Sequence, residues 1–281
     1  MKSPLAASDP GAPSPLSLTA TPELLVDRAD GIVTITLNRP DRKNSVTSLG
    51  WADLRDALRT IDPRTDRAVV VTGAGETFCA GADLAGNDDT RSDLENMRIV
   101  GEVCREMFHL TVPTVAAVDG AAVGAGMNLA LACDFVVATD RVRFCEIFSQ
   151  RALSVDFGGS WLLPRLVGLA KAKELVLLAD FLTADQAHEL GLVHRVVAPG
   201  DLGSTARDLA ARLAAGPQTA ITLSKALLNH SFETTLEGAL EDEARAQAIS
   251  LQSGDAKEAF SAFLEKRPAT YTRPTARREE D

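Results

Sequence analysis

The chain of 281 residues, 45% hydrophobic and 24% charged, is long enough to bury a sizeable core in one large or two small domains. A net charge of −10 and a pI near 5.0 argue against non-specific nucleic-acid binding and leave at most a local basic spot for a phosphorylated ligand. There is no apolar run of membrane-spanning length, and the stretch over residues 1–20, rich in Pro, Ser and Ala, lacks the apolar core of a signal peptide and is expected to be a flexible tail.

In chain order, "ELLVDRADGIVTITLNRP" predicts two strands around an Asp30-Gly31 turn, with Val33, Ile35 and Leu37 alternating against Ile32, Thr34 and Thr36. "TSLGWADLRDALRTID" predicts a helix whose apolar face carries Leu49, Leu54, Ala57, Leu58 and Ile61. "RAVVVTG" is a buried strand, followed by the loop "GAGETFCAGADL" and a helix from about Ser92 to Leu110. "PTVAAVDG" is a further strand, "VGAGMNLALACD" turns from glycines into a helix that Asp134 is expected to end, and "FVVATD" and "VRFCEI" are strands.

Beyond residue 160 the segments read as helices, with "LVHRVV" the one strand-like exception. Thr183 and Asp185 suit a helix start and Gly191 its end. The alternation of strand, loop and helix gives an α/β core with partly parallel strands. Segments 1–20, 21–200 and 201–281 are expected to be the tail, the core and a helical C-terminal region with a polar end.

Motifs for metals and nucleotides are missing. His109, His188, His194 and His230 never stand at HxxxH spacing, and no GxxxxGK[ST] loop occurs. Cys79, Cys104, Cys133 and Cys145 form no CxxC pair, so reduced thiols in a cytoplasmic protein, each as buried filler, are expected.

Chemistry has two candidate seats where a strand yields to a helix: Ala80-Gly81-Ala82-Asp83 and Gly124-Ala125-Gly126. Free backbone N–H groups there suit a negative oxygen, and two converging on one carbonyl form an oxyanion hole. Either loop alone is better read as tight strand-to-helix packing. Asp156, amid Leu153, Val155, Phe157 and Trp161, is either a cap on the helix beginning near Gly158 or a carboxylate whose apolar surroundings raise its proton affinity. Trp161 reads as core.

The segments "NRPDRKNSV", "ETFCAGADL", "VDGAAVGAGMNLALACD", "GGSWLLPRLVG", "LTADQAHELGLVHRVV" and "AFSAFLEKR" resemble, in order and spacing, the enoyl-CoA hydratase/isomerase (crotonase) superfamily from about residue 24 to 267. The resemblance implies a spiral of ββα units, a helical C-terminal region that trimerises, and an acyl-CoA thioester substrate. A homotrimer or dimer of trimers is therefore expected, with no cofactor besides the coenzyme A of the substrate itself. The same resemblance assigns the oxyanion N–H groups to Ala82 and Ala125. It places Arg42, Lys43, Ser45, Ala80, Asp83 and Leu84 on coenzyme A, joined by Phe263 and Lys266 from a neighbouring subunit. Lys266 is nearly as well read as an ordinary helix end.

The departures from the family redirect the chemistry. Asn128 and Phe148 stand where hydratases of the family carry two glutamates, and neither is a general base. Glu146, two residues early, shares the strand parity of Phe148. Asp156, with Asn128 and the run "D-x-GG-x-W-x-LP", resembles the ring-epoxyphenylacetyl-CoA isomerases of the superfamily. An isomerase with Asp156 as acid/base and Asn128 assisting is expected. A hydratase of low activity, a nucleophilic-Asp hydrolase or dehalogenase, and a non-catalytic acyl-CoA binder are the alternatives. Residues 86–108, with Met97, Met107 and Phe108, are expected to cover the acyl pocket.

Overall fold

The computed structural model describes residues 21–85 and 90–271, so the expected N-terminal tail, residues 86–89 of the acyl-pocket segment and the polar end after residue 271 lie outside the described residues. The strands and helices in chain order are β1 (Leu24–Ala29), β2 (Ile32–Leu37), α1 (Ser48–Arg59), β3 (Ala68–Gly73), α2 (Asp93–His109), β4 (Thr114–Val118), β5 (Ala121–Val123), α3 (Ala125–Leu131), β6 (Phe135–Thr139), β7 (Arg143–Cys145), α4 (Gly159–Val167), α5 (Leu169–Leu178), β8 (Leu182–Thr183), α6 (Ala184–Glu189), β9 (Arg195–Val197), α7 (Leu202–Ala214), α8 (Gln218–His230), α9 (Leu236–Gln252) and α10 (Gly254–Glu265).

Six strands make one sheet in the order β1-β2-β3-β4-β6-β9, antiparallel at the β1–β2 hairpin and parallel beyond it. The hairpin turns at Asp30 and Gly31 with φ of 54° and 77°, the left-handed pair that matches strand twist. A smaller sheet, β5-β7-β8, lies beside it and is extended by the bridges Cys79–Ala122 and Val46–Ala82. Each turn of the chain thus runs through the large sheet, touches the small one and then enters a helix. That is the ββα spiral the sequence led us to expect.

Side-chain alternation explains the layers. On β3, Val69 and Val71 join the main core with α1, α2 and α3, whereas Ala68 and Val70 face α7 through Ala206, Ala210 and Ala214. Small residues on α7 let it lie close against the sheet, so the C-terminal stretch begins with a helix packed on the core. By contrast α8, α9 and α10 pack chiefly in series, α8 on α9 and α9 on α10. They leave Leu228, Phe232, Leu236, Leu240, Phe260 and Leu264 exposed.

Local signals held well at capped ends. Ser92 and Glu95 close a capping box on α2, and Thr183 and Gln186 do so on α6. Several expectations need correction. Leu49 is 64% exposed and Trp51 takes its place on the buried face of α1, because α1 rotates its indole onto Phe157 at 5.4 Å. The short strands β5 and β8 were not foreseen; their pairing comes from neighbours distant in sequence. Asp134 does not end α3, which stops at Leu131; its carboxylate accepts from the Thr114 N–H at 2.7 Å and from Lys225 Nζ at 2.7 Å, pinning α8 to the sheet.

Candidate active site

Two loops meet at the edge of the small sheet. The Cys79 N–H donates to the Ala121 carbonyl and the Val123 N–H to the Cys79 carbonyl, both at 3.0 Å. On the other side, the Val46 N–H donates to the Gly81 carbonyl and the Asp83 N–H to the Val46 carbonyl, both at 2.9 Å. This lacing requires glycine. Gly81 has φ of 94°, and a Cβ there would lie 2.9 Å from the Val123 carbonyl oxygen; a Cβ on Gly126 would lie 2.4 Å from that of Cys79. The N–H groups of Ala82 and Ala125 find no acceptor among the described residues. The two loops that carry them come close, since a Cβ on Gly81 would lie 3.8 Å from the Ala125 nitrogen.

The turn carrying Asp156 is held by α3 itself. The Asn128 amide, one helical turn beyond Ala125, donates from Nδ2 to the Asp156 carbonyl oxygen at 3.1 Å. Its ladder bond, Asn128 N–H to the Gly124 carbonyl at 3.1 Å, fixes the side chain in turn. Rising about 1.5 Å per residue, the helix sets Asn128 roughly 5 Å along its axis from Ala125. Asn128 also packs on Gly159, where a Cβ would lie 2.4 Å from Nδ2. Phe157 and Gly158 follow with φ of 48° and 74°, and a bulky residue in the left-handed region is strained. Burial of the Phe157 ring against Trp51 holds it there.

The cap reading of Asp156 is not the one adopted. It is the Asp156 main-chain carbonyl that accepts from Gly159 N–H at 2.9 Å, and Gly158, the N-cap of α4, makes no side-chain cap. The Asp156 carboxylate accepts no hydrogen bond among the described residues, and burial raises its pKa to about 6.

A third polar side chain completes the cluster. Glu146, 1% exposed, accepts from Asn128 Nδ2 through Oε2 at 3.3 Å, and burial, with a lesser push from the charge of Asp156, raises its pKa to about 8. Phe148 is also buried, its ring 3.4 Å from where a Cβ of Gly124 would stand. Residues 146 and 148 thus both face α3, but not by strand parity as expected: β7 ends at Cys145, and Ile147–Arg151 form a 3-10 helix.

A family model described as enoyl-CoA hydratase/isomerase matches residues 27–274. The chain belongs to the enoyl-CoA hydratase/isomerase family. It is 39% identical to the 1,2-epoxyphenylacetyl-CoA isomerase of Escherichia coli (strain K12) over 86% of this chain and 95% of that one. It is 34% identical to the crotonyl-CoA hydratase of Syntrophomonas wolfei over 88% and 97% respectively. The solved enoyl-CoA hydratase of Mycobacterium smegmatis superposes with a TM-score of 0.84 at 35% identity, covering 89% of this chain and 99% of that one. An acyl-CoA enzyme of this family is thereby identified, with relatives named both for isomerisation and for hydration.

The other residues singled out in the sequence fall into two groups. Arg42, Lys43, Ser45, Ala80, Asp83 and Leu84 are brought together: the Ala80 N–H donates to the Lys43 carbonyl at 3.0 Å, and Val46 bridges Ala82. Arg42, Lys43 and Leu84 are exposed along the rim of this pair of segments. The carboxylate of Asp83 is already engaged, by Arg39 Nη2 at 2.8 Å and the Ala85 N–H at 3.0 Å, and both hold its pKa below the usual range. Phe263, 81% exposed, and Lys266, at the left-handed end of α10, stand on the outer helices and not beside these segments.

Sequence reasoning missed two scaffold residues. Arg39 donates to the Ser45 carbonyl at 2.7 Å as well as to Asp83, and buried Asn44 donates to the carbonyls of Ala74 and Thr77. Their signal was "NRPDRKNSV", where Asn38, Pro40, Asp41 and Asn44 mark a turn. Of the acyl-pocket candidates, Met107 is core, Met97 is exposed, and Phe108 lines a cavity of about 600 Å³ between α2, α4 and α8. That cavity also takes in Trp161, stacked edge-on with Phe108 at 4.9 Å, and Gly158, but not Asp156, Ala82 or Ala125. Trp161 is thus half-buried, packed against the main core and forming part of the cavity wall.

Proposed function

We propose that the chain is an acyl-CoA isomerase, moving a double bond or opening an epoxide through a thioester enolate. The observation that carries the reading is Asp156: a half-buried carboxylate, its Oδ1 out of contact with solvent and without a hydrogen-bond donor, tied by Asn128 to the helix that begins at the Ala125 N–H.

With a 3-enoyl-CoA, the thioester oxygen takes the N–H groups of Ala82 and Ala125. The Asp156 carboxylate removes a proton from C2, and the electron pair passes into the carbonyl to give the enolate. The carboxylic acid so formed returns the proton at C4, leaving a 2-enoyl-CoA and Asp156 ionised as before. A carboxyl whose pKa stands near 6 is suited to both transfers, being a stronger base than an ordinary aspartate and still an acid near neutrality. No resident cofactor enters these steps. Arg42, Lys43, Ser45, Ala80, Asp83 and Leu84 take coenzyme A, Asp83 by shaping the loop through Arg39. Phe263 and Lys266 would join from a second subunit of a homotrimer, a role that suits the apolar residues left exposed on α8–α10.

Hydration is the second reading, favoured by the second carboxyl, Glu146, beside Asn128. Incubation with 3-hexenoyl-CoA separates them: isomerisation delivers 2-hexenoyl-CoA, whereas a hydratase acts on 2-hexenoyl-CoA to give the 3-hydroxyacyl-CoA and leaves the 3-enoyl isomer untouched.

A further inference from the structure

The Asn128 amide has two protons, and both are spent: one on Glu146 Oε2, the other on the Asp156 carbonyl. Three oxygens around it then lack any donor in the described structure, namely Asn128 Oδ1, Glu146 Oε1 and Asp156 Oδ1. Buried acceptors are rarely left so. The groups facing Glu146 are Asn128 from α3 and Asp156 from the loop ahead of α4, with the Cys145 thiol beside it on β7; no cation acts on it. Two carboxylates whose charges act on each other in a largely buried cluster do not both ionise readily. A proton on Glu146 resolves both difficulties, since it removes one charge and supplies a donor where none exists.

We infer that Glu146 is a positioning residue for Asp156, a protonated carboxyl that locks the Asn128 amide onto the Asp156 carbonyl and thereby fixes the turn bearing the Asp156 carboxylate. The inference rests on the proposed acid/base role of Asp156. Ionisation of Glu146 would set a second negative charge beside Asp156 and take away the donor, so activity declines as pH rises through about 8. The neighbouring thiols of Cys145 and Cys104, each held to about 11 by burial, do not titrate in that range.

The test is kcat for 3-hexenoyl-CoA isomerisation between pH 6 and about 9.5 in wild type, Glu146→Gln, Glu146→Leu and Asp156→Asn. Gln keeps the neutral shape and a donor, so E146Q should hold kcat at pH 7 within about threefold and lose the alkaline decline. E146L should lower kcat at least about tenfold with KM nearly unchanged, because Asn128 is released and coenzyme A contacts are not. An alkaline decline that persists in E146Q, or an E146L enzyme as active as wild type, overturns the inference. Should E146L fail to fold, the E146Q profile alone decides. Full activity in D156N would sink the acid/base reading itself, an outcome distinct from any seen with Glu146.

Discussion

Asn128 Nδ2 lies 3.1 Å from the main-chain oxygen of Asp156, so the helix that begins at the free Ala125 N–H also holds the turn of the candidate acid/base. One rigid element thereby carries both halves of the proposed chemistry. A short polar side chain serves here where a glutamate would have brought charge.

Gly81 is a point of this arrangement that substitution would disturb. With φ of 94° and the Val123 carbonyl 2.9 Å from any Cβ, Gly81→Ala must push the Ala82 N–H away from its neighbour. Loss of one oxyanion donor costs about 100-fold or more; steady-state kinetics should show that loss in kcat, with modest change in KM.

Phe157 pays for its left-handed backbone with packing against Trp51. Phe157→Ala should lower stability by roughly 3 kcal/mol or more in urea unfolding. Because the turn loses its anchor, turnover should fall further than substrate affinity.

Lys225 and Asp134 form the ion pair that clasps α8 to the sheet, 2.7 Å apart and only 10% and 22% exposed. Lys225→Met leaves Asp134 with the Thr114 bonds alone and should cost on the order of 2 kcal/mol. Limited proteolysis should then cut near residues 215–217, ahead of α8, sooner than in wild type.

Glu146 and Asp156 also predict how stability follows pH. Both have folded pKa values raised above the unfolded ones, so the folded state holds protons the unfolded state has released. Stability therefore falls as pH rises from the unfolded value of 3.8 to about 6 for Asp156, and from 4.5 to about 8 for Glu146. Glu146→Gln removes its share, and the melting-temperature difference from wild type should grow in favour of the variant between pH 5 and about 8.5. A difference constant with pH would contradict the raised Glu146 value.

Much of this was legible in the sequence because the governing signals are local. Alternating β2 residues, the Ser92 and Thr183 caps, and the Gly-rich strand-to-helix turns each depend on neighbours within a few residues. Asp156 could be weighed as cap or acid from sequence, but the choice depends on which of its oxygens Gly159 takes, a matter of backbone geometry. Glu146 shows the same limit: strand parity with Phe148 was the reading, but β7 ends at Cys145, and the contact with Asn128 requires α3 and the turn after β7 to meet. Strands β5 and β8, only three and two residues long, carry too little pattern to be seen without their partners.

The most direct measurement is 3-enoyl-CoA isomerisation by Asp156→Asn at pH 7, alongside binding of a non-reactive acyl-CoA. Asparagine preserves shape and removes the base, so kcat should drop by about 1,000-fold or more while binding stays within a few-fold of wild type. An Asp156→Asn enzyme that isomerises at the wild-type rate would contradict the account.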